Sequence, residues 1–188
     1  MEAFFVSFST VAIAEMGDRT QLLALVLAAR YQKPLAIIAG IFCATLINHA
    51  AAGFIGLWFG GLLKPTVVQA LVGISMIGMA LWTLKPDQLS DQNKNVSAGG
   101  AFIATLTSFF VAEIGDKTQI ATIALAAAYP DLLSVIAGTT AGMMAANVPI
   151  VMLGKTLSKR LPLKAIHWGA SALFLGLGVV YLSRIFWR

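Results

Sequence analysis

Two octets constrain this chain more than any other feature: AEMGDRTQ at 14–21 and AEIGDKTQ at 112–119, each inside a long apolar run. Glu15 and Asp18 are the twelfth and fifteenth residues of a run from Phe4 to Ala29, and Glu113 and Asp116 the thirteenth and sixteenth of a run from Ala101 to Ala128. If those runs cross a bilayer at about 1.5 Å per residue, all four acids lie near its centre. An ionised acid there costs roughly 2.5–3.5 kcal/mol on insertion scales, so four approach ~10 kcal/mol. Protons, cations or pairing must offset that.

The composition supports a membrane setting. Of 188 residues, 59% are hydrophobic and 11% charged, against roughly 25% charged for an average soluble domain. Six runs are long and apolar enough to read as spanning helices: Phe4–Ala29, Leu35–Leu57, Val67–Leu84, Ala101–Ala128, Leu132–Leu153 and Ala165–Ile185. Short joints carrying prolines and charges separate them. The expected fold class is an all-α integral membrane protein with six transmembrane helices. MEAFFVSFS lacks a positive n-region and its run is too long for a cleaved signal, so the first helix is expected to stay. Cys43, the single cysteine, reads as packing.

The net charge of +5 sits mostly in the joints, which points to topology and lipid headgroups and away from nucleic acid. Arg30, Lys33, Lys85, Lys94, Lys155, Lys159, Arg160 and Lys164 fall on one side, and Lys64, Arg184 and Arg188 on the other. The positive-inside rule places the first set in the cytoplasm and both termini outside.

Shifting the chain by 98 residues aligns Ala14–Gly40 with Ala112–Gly138 at 14 of 27 positions without a gap. At the same offset Gly56 meets Gly154 and Gly78 meets Gly176. The expected organisation is a three-helix repeat over 1–84, a cytoplasmic linker over 85–99 and a second repeat over 100–188. Three is odd, so the second copy enters the membrane upside down. Inverted repeats of this kind occur in secondary transporters, with the substrate near the midplane.

Residues three apart on a helix share a face, so each Glu–Asp pair is expected to project both carboxylates one way, with Gln21 and Gln119 continuing that face. Gly17 and Gly115 allow either close helix approach or local unwinding that frees carbonyl oxygens. Two such faces would make an oxygen-rich nest suited to Ca²⁺ or Mn²⁺. Arg19 and Lys117 offer salt bridges, but two cations cannot neutralise four acids, so they are expected to swing in as the metal leaves. Crowded carboxylates repel one another, so protons would compete with the metal for them. That is cation/proton exchange.

Other intramembrane polar residues are Asn48, His49 and Asn147, the last opposite His49 under the offset. They read as interhelical glue or as ligands, and an imidazole would favour Mn²⁺. Ser7, Ser9 and Thr10, matched by Thr105, Thr107 and Ser108, either line an access path or bond back to helix carbonyls. Gly40-x3-Ala44 and Gly138-x3-Gly142 read as close-packing faces.

The paired E-x-G-D-[KR]-T octets on the first and fourth of six runs resemble the Ca²⁺/Mn²⁺–proton antiporter family, which includes Golgi manganese/calcium transporters and bacterial manganese exporters. The resemblance covers essentially the whole chain. It implies metal-binding acids at Glu15, Asp18, Glu113 and Asp116, with Arg19, Lys117, Thr20 and Thr118 completing the motifs. It also implies a bacterial inner-membrane exporter of Mn²⁺, with Ca²⁺ the alternative cargo. The implied partners are the divalent cation, protons and the bilayer; no cofactor or nucleic acid is implied, and a homo-oligomer is left open. Two rivals compete. An intramembrane aspartyl protease would use Asp18 and Asp116 but leaves both glutamates unexplained. An exporter of a small organic cation or amino acid would need an apolar or aromatic pocket that the octets lack. No nucleotide-binding motif points to ATP-driven pumping.

Overall fold

The computed structural model describes residues 1–84, 100–153 and 163–185, and all regular structure among them is helical. Four of the six apolar runs each form one helix: α3 (Pro34–Leu62), α4 (Pro65–Thr83), α7 (Leu132–Leu153) and α8 (Leu163–Ser183). The first run instead forms α1 (Glu2–Glu15) and α2 (Arg19–Tyr31), and the fourth α5 (Ala101–Glu113) and α6 (Lys117–Ala128). Both runs break inside the octet. The expected linker at 85–99 and the joint carrying Lys155, Lys159 and Arg160 lie outside the described residues.

Local chemistry sets the ends. Pro34 and Pro65 open α3 and α4, where a missing N–H is harmless. Gln32, at φ 51° and ψ 32°, closes α2 by donating its N–H to the Ala28 carbonyl. Asp131 accepts from the backbone N–H of Ser134 at 3.1 Å and from its hydroxyl at 2.5 Å, starting α7.

α3, α4 and α7 are each long and apolar enough to cross a bilayer. The half-helices α1, α2, α5 and α6, with 14, 13, 13 and 12 residues, are each only about 20 Å long, short of the ~30 Å hydrocarbon thickness. The bundle is apolar on its perimeter and in its core, with a set of polar side chains buried among the apolar ones. Phe54, Trp58, Ile74, Leu81 and Val111 are more than 60% exposed, whereas Glu15, His49, Glu113 and Asn147 are fully buried. A perimeter this apolar marks a surface made for lipid or for another apolar partner.

α1 packs on α7 and α5 on α3, while α4 packs along α8. The first two pairings are equivalent under the 98-residue offset, and so are their closest approaches. A Cβ built on Gly138 would lie 2.5 Å from the Phe4 carbonyl, and one on Gly40 would lie 2.9 Å from the Phe102 carbonyl. Gly142 approaches the Phe8 carbonyl in the same way, so the small-residue motifs are packing faces. Gly56 is tighter still, against the Ile123 carbonyl and Ala126. Gly56→Ala is therefore expected to force α3 from α6 at about 1–3 kcal/mol. Gly61→Ala, which meets nothing within 4 Å, should be neutral or stabilising by up to ~1 kcal/mol. Thermal unfolding in detergent would separate the two, and equal melting temperatures would contradict the close packing.

Candidate metal site

The breaks are built alike. Met16 has φ −64°, ψ 119° and Ile114 has φ −64°, ψ 120°. Gly17 and Gly115 follow at φ 84° and 74°, a left-handed conformation that other residues rarely adopt. Asp18 (φ −80°, ψ 169°) and Asp116 (φ −77°, ψ 163°) then occupy the N-cap positions of α2 and α6. Of the two roles open to these glycines, unwinding is the one observed. It also corrects the shared-face expectation: Glu15 ends one helix and Asp18 starts the next, so the turn at Gly17, not helical periodicity, sets where their carboxylates point.

The glutamines stabilise these turns. The Gly17 N–H donates to Gln21 Oε1 and the Gly115 N–H to Gln119 Oε1, both at 2.8 Å. Their amide oxygens thus satisfy backbone donors that the break exposes. Gln21 Nε2 also donates to the Ala146 carbonyl on α7 at 2.9 Å.

Ligand oxygens of Glu15, Asp18 and Asp116 all lie within 4.8 Å of one another, and all three residues are buried. Glu113 is not part of that group. Its carboxylate accepts from Thr118 Oγ1 at 2.9 Å, and the same hydroxyl lies 3.2 Å from Asp116. Thr20 Oγ1 donates to Glu15 Oε1 in the matching place, and Asn147 Nδ2 adds a second donor to that oxygen at 3.1 Å.

The cations cross between the halves. Lys117 Nζ lies 2.9 Å from Asp18 Oδ1, with both side chains at most 2% exposed. Arg19 Nη2 lies 3.1 Å from Asp116 Oδ1 and donates to the Ala112 carbonyl at 2.8 Å, its side chain 30% exposed. Nothing in the octets taken singly signals this exchange. The pairs connect residues 99 and 97 positions apart, and only the packing of the breaks brings them together.

Asn48 Nδ2 donates to the Phe110 carbonyl at 3.2 Å, joining α3 to α5. His49 is fully buried, and neither ring nitrogen finds a hydrogen-bond partner among the described residues. Ser9, Thr105 and Thr107 bond back to carbonyls four residues earlier at 2.7–2.8 Å, so for them back-bonding is the observed role. Ser7 and Thr10 are buried with hydroxyls that find no such partner among the described residues.

A cavity of about 170 Å³ adjoins the first break, lined by Met16, Gln21, Ala145, Ala146 and Pro149 among others. Pro149 lies inside α7 and has no N–H to offer the Ala145 carbonyl, so that oxygen lacks its helical bond. Length and periodicity did not reveal this backbone acceptor; Pro149 was its signal.

Broken helices whose ends gather acids inside an apolar bundle define a class, the helical membrane transporters. The chain belongs to the divalent cation/proton antiporter GDT1 family, which it matches over residues 3–91 and 101–186. It is similar to a Vibrio cholerae protein named "Putative manganese exporter", 49% identical over 93% of this chain and 88% of that protein. It is 28% identical to a GDT1-like protein of Synechocystis, covering 96% of each, and 32% identical to the chloroplast protein PAM71 of Arabidopsis thaliana, of which it spans 57%. No solved structure matches the chain. The family is one of transporters, which sets aside the protease.

Proposed function

We propose that this protein exports Mn²⁺ in exchange for protons, with Glu15, Asp18 and Asp116 as the first carboxylates to hold the ion. The observation that carries this reading is the buried group of three carboxylates within 4.8 Å. Oxygen donors in that number suit a hard divalent cation. The name of the Vibrio relative favours Mn²⁺ as cargo, and an all-oxygen donor set keeps Ca²⁺ as the second candidate.

The proposed architecture is six spans in two inverted repeats, over 1–84 and 100–188, with α1–α2 and α5–α6 each crossing as a broken span. The paired contacts at the 98-residue offset support it: Asp18–Lys117 corresponds to Asp116–Arg19, and Gly40–Phe102 to Gly138–Phe4. The bacterial relative and the basic joints support an inner-membrane location with the termini outside.

In this mechanism the incoming ion competes with Lys117 for Asp18 and with Arg19 for Asp116, and with protons for the whole group. Metal binding therefore releases protons, and metal release lets protons and the two cations return. The charge inside the bilayer stays nearly balanced throughout, which lowers the barrier to reorienting the site.

Purified protein in liposomes, with a pH-sensitive dye trapped inside and a proton gradient imposed, tests the reading. Adding Mn²⁺ or Ca²⁺ outside is expected to drive proton movement, and the more effective ion names the cargo. No movement with either ion in tight vesicles would overturn antiport. An organic cation that competes with Mn²⁺ would point to the solute-export rival.

A further inference from the structure

We propose that Glu2, Tyr129, Tyr181 and Arg184 form a latch that closes the ion path at one end of the bundle, and that the path opens there only when α1 leaves α6 and α8. This rests on the transport reading above and deepens it by naming one of its gates.

Three elements meet at that end. Glu2 opens α1, Tyr129 follows the last residue of α6, and Tyr181 lies in the last turn of α8, with Arg184 just beyond it. The Tyr129 hydroxyl donates to Glu2 Oε1 at 3.2 Å and lies beside the Tyr181 hydroxyl. The Arg184 guanidinium covers the Tyr181 ring, 5.7 Å from its centroid, a cation–π arrangement. Tyr181 is buried and belongs to the same apolar cluster as Ala3 of α1. Polar contacts at the rim and an apolar plug beneath them thus tie the half-helix that ends in Glu15 to the second half of the chain.

Behind the latch the inner face of α1 is closed. Ser7, Thr10, Ala14 and Glu15 are all buried, and a Cβ built on Gly138 of α7 would lie 3.0 Å from the Ser7 Cβ. The looser packing lies beyond the break. The cavity beside Met16 and Gln21 is lined by Pro149 and Ile150, the eighteenth and nineteenth of the 22 residues of α7. That helix starts three residues after Tyr129, so the cavity sits toward the end opposite the latch. Arg19, which begins α2 on that same side of the break, keeps its side chain 30% exposed.

The opposite end cannot carry the same latch. At the 98-residue offset Glu2 corresponds to Gly100, Tyr181 to Thr83 and Arg184 to Pro86, and only Tyr129 keeps its type, as Tyr31. The carboxylate, the second phenol and the guanidinium are all replaced. Inverted halves that exchange conformations during transport are otherwise equivalent. A latch built from these groups at one end biases which end is shut at rest. On the topology proposed above it is the outer gate, and the resting protein faces the cytoplasm.

Ser7→Cys in a Cys43→Ser background reports opening, because Ser7 is buried behind the latch. Tyr129→Phe removes the hydroxyl and leaves the ring on its apolar cluster. In lipid nanodiscs a charged, membrane-impermeant methanethiosulfonate should label Ser7→Cys about fivefold faster once Tyr129→Phe removes that hydrogen bond. An unchanged labelling rate overturns the latch. A second measurement carries its own control for folding. Glu2→Cys and Tyr129→Cys, bridged by a bis-methanethiosulfonate in the Cys43→Ser background, should lose Mn²⁺-driven proton movement by about tenfold or more and regain it when the bridge is reduced. Undiminished flux in fully bridged protein overturns the gate and leaves antiport standing. Faster labelling in Tyr129→Phe, in a protein that moves no protons with Mn²⁺ or Ca²⁺, would overturn antiport and leave the latch.

Discussion

Glu15→Gln is expected to reduce metal-driven proton movement at least a hundredfold while leaving the protein as stable as the wild type or more so. The carboxylate is fully buried at the end of α1 and shares the three-acid group. Glutamine keeps the shape and the oxygen that accepts from Thr20 and Asn147, so the local contacts survive. What it removes is an ionisable side chain buried inside the bundle and, on the mechanism proposed above, one proton-exchanging ligand; an ionised acid costs roughly 2.5–3.5 kcal/mol where a span crosses a bilayer's centre. Each tenfold in rate corresponds to about 1.4 kcal/mol, so losing two such factors asks only a few kcal/mol of metal stabilisation from Glu15. Initial rates in proteoliposomes and melting temperatures in detergent, measured on the same preparations, test both halves. Wild-type rates in Glu15→Gln would remove Glu15 from the site. A rate loss matched by a collapse in melting temperature would make it a folding residue instead.

Lys117→Met should have the largest effect on folding of any single change at the breaks. Lys117 and Asp18 form a pair that is at most 2% exposed, and removing one member of such a pair costs on the order of 3–5 kcal/mol because the other charge stays buried. Arg19→Met should cost less, since the arginine side chain is 30% exposed and water screens part of its field. Adding Asp18→Asn to Lys117→Met should restore most of the stability without restoring transport, because it removes the stranded charge together with a carboxylate of the proposed metal site. The readouts are the folded fraction on size exclusion and the proton flux. Wild-type stability in Lys117→Met would mean the pair contributes nothing.

The helical character of every described segment and the presence of repeated acids inside apolar runs were legible in the chain because they are local: apolar runs, prolines at joints, and expensive residues repeated at a fixed offset. The breaks were half legible. Gly17 and Gly115 admitted either close packing or unwinding, and only the φ values of 84° and 74° decide between them. The placement of Glu113 was not legible. Its octet matches that of Glu15 residue for residue in type, yet only Glu15 joins Asp18 and Asp116 within 4.8 Å. That difference comes from how the halves pack, which no spacing within one octet encodes. Nor did composition say which cation meets which acid, because both cross pairs depend on contacts nearly a hundred residues apart.

The crossed ion pairs also bear on how the protein is made. Asp18 is synthesised 99 residues before Lys117, the cation it meets in the finished fold. The first half therefore leaves the ribosome with Asp18 still awaiting the cation it meets in the finished fold, while α3 and α4 of that half are already long and apolar enough to cross a bilayer. The buried pair therefore closes only after the second break has been made.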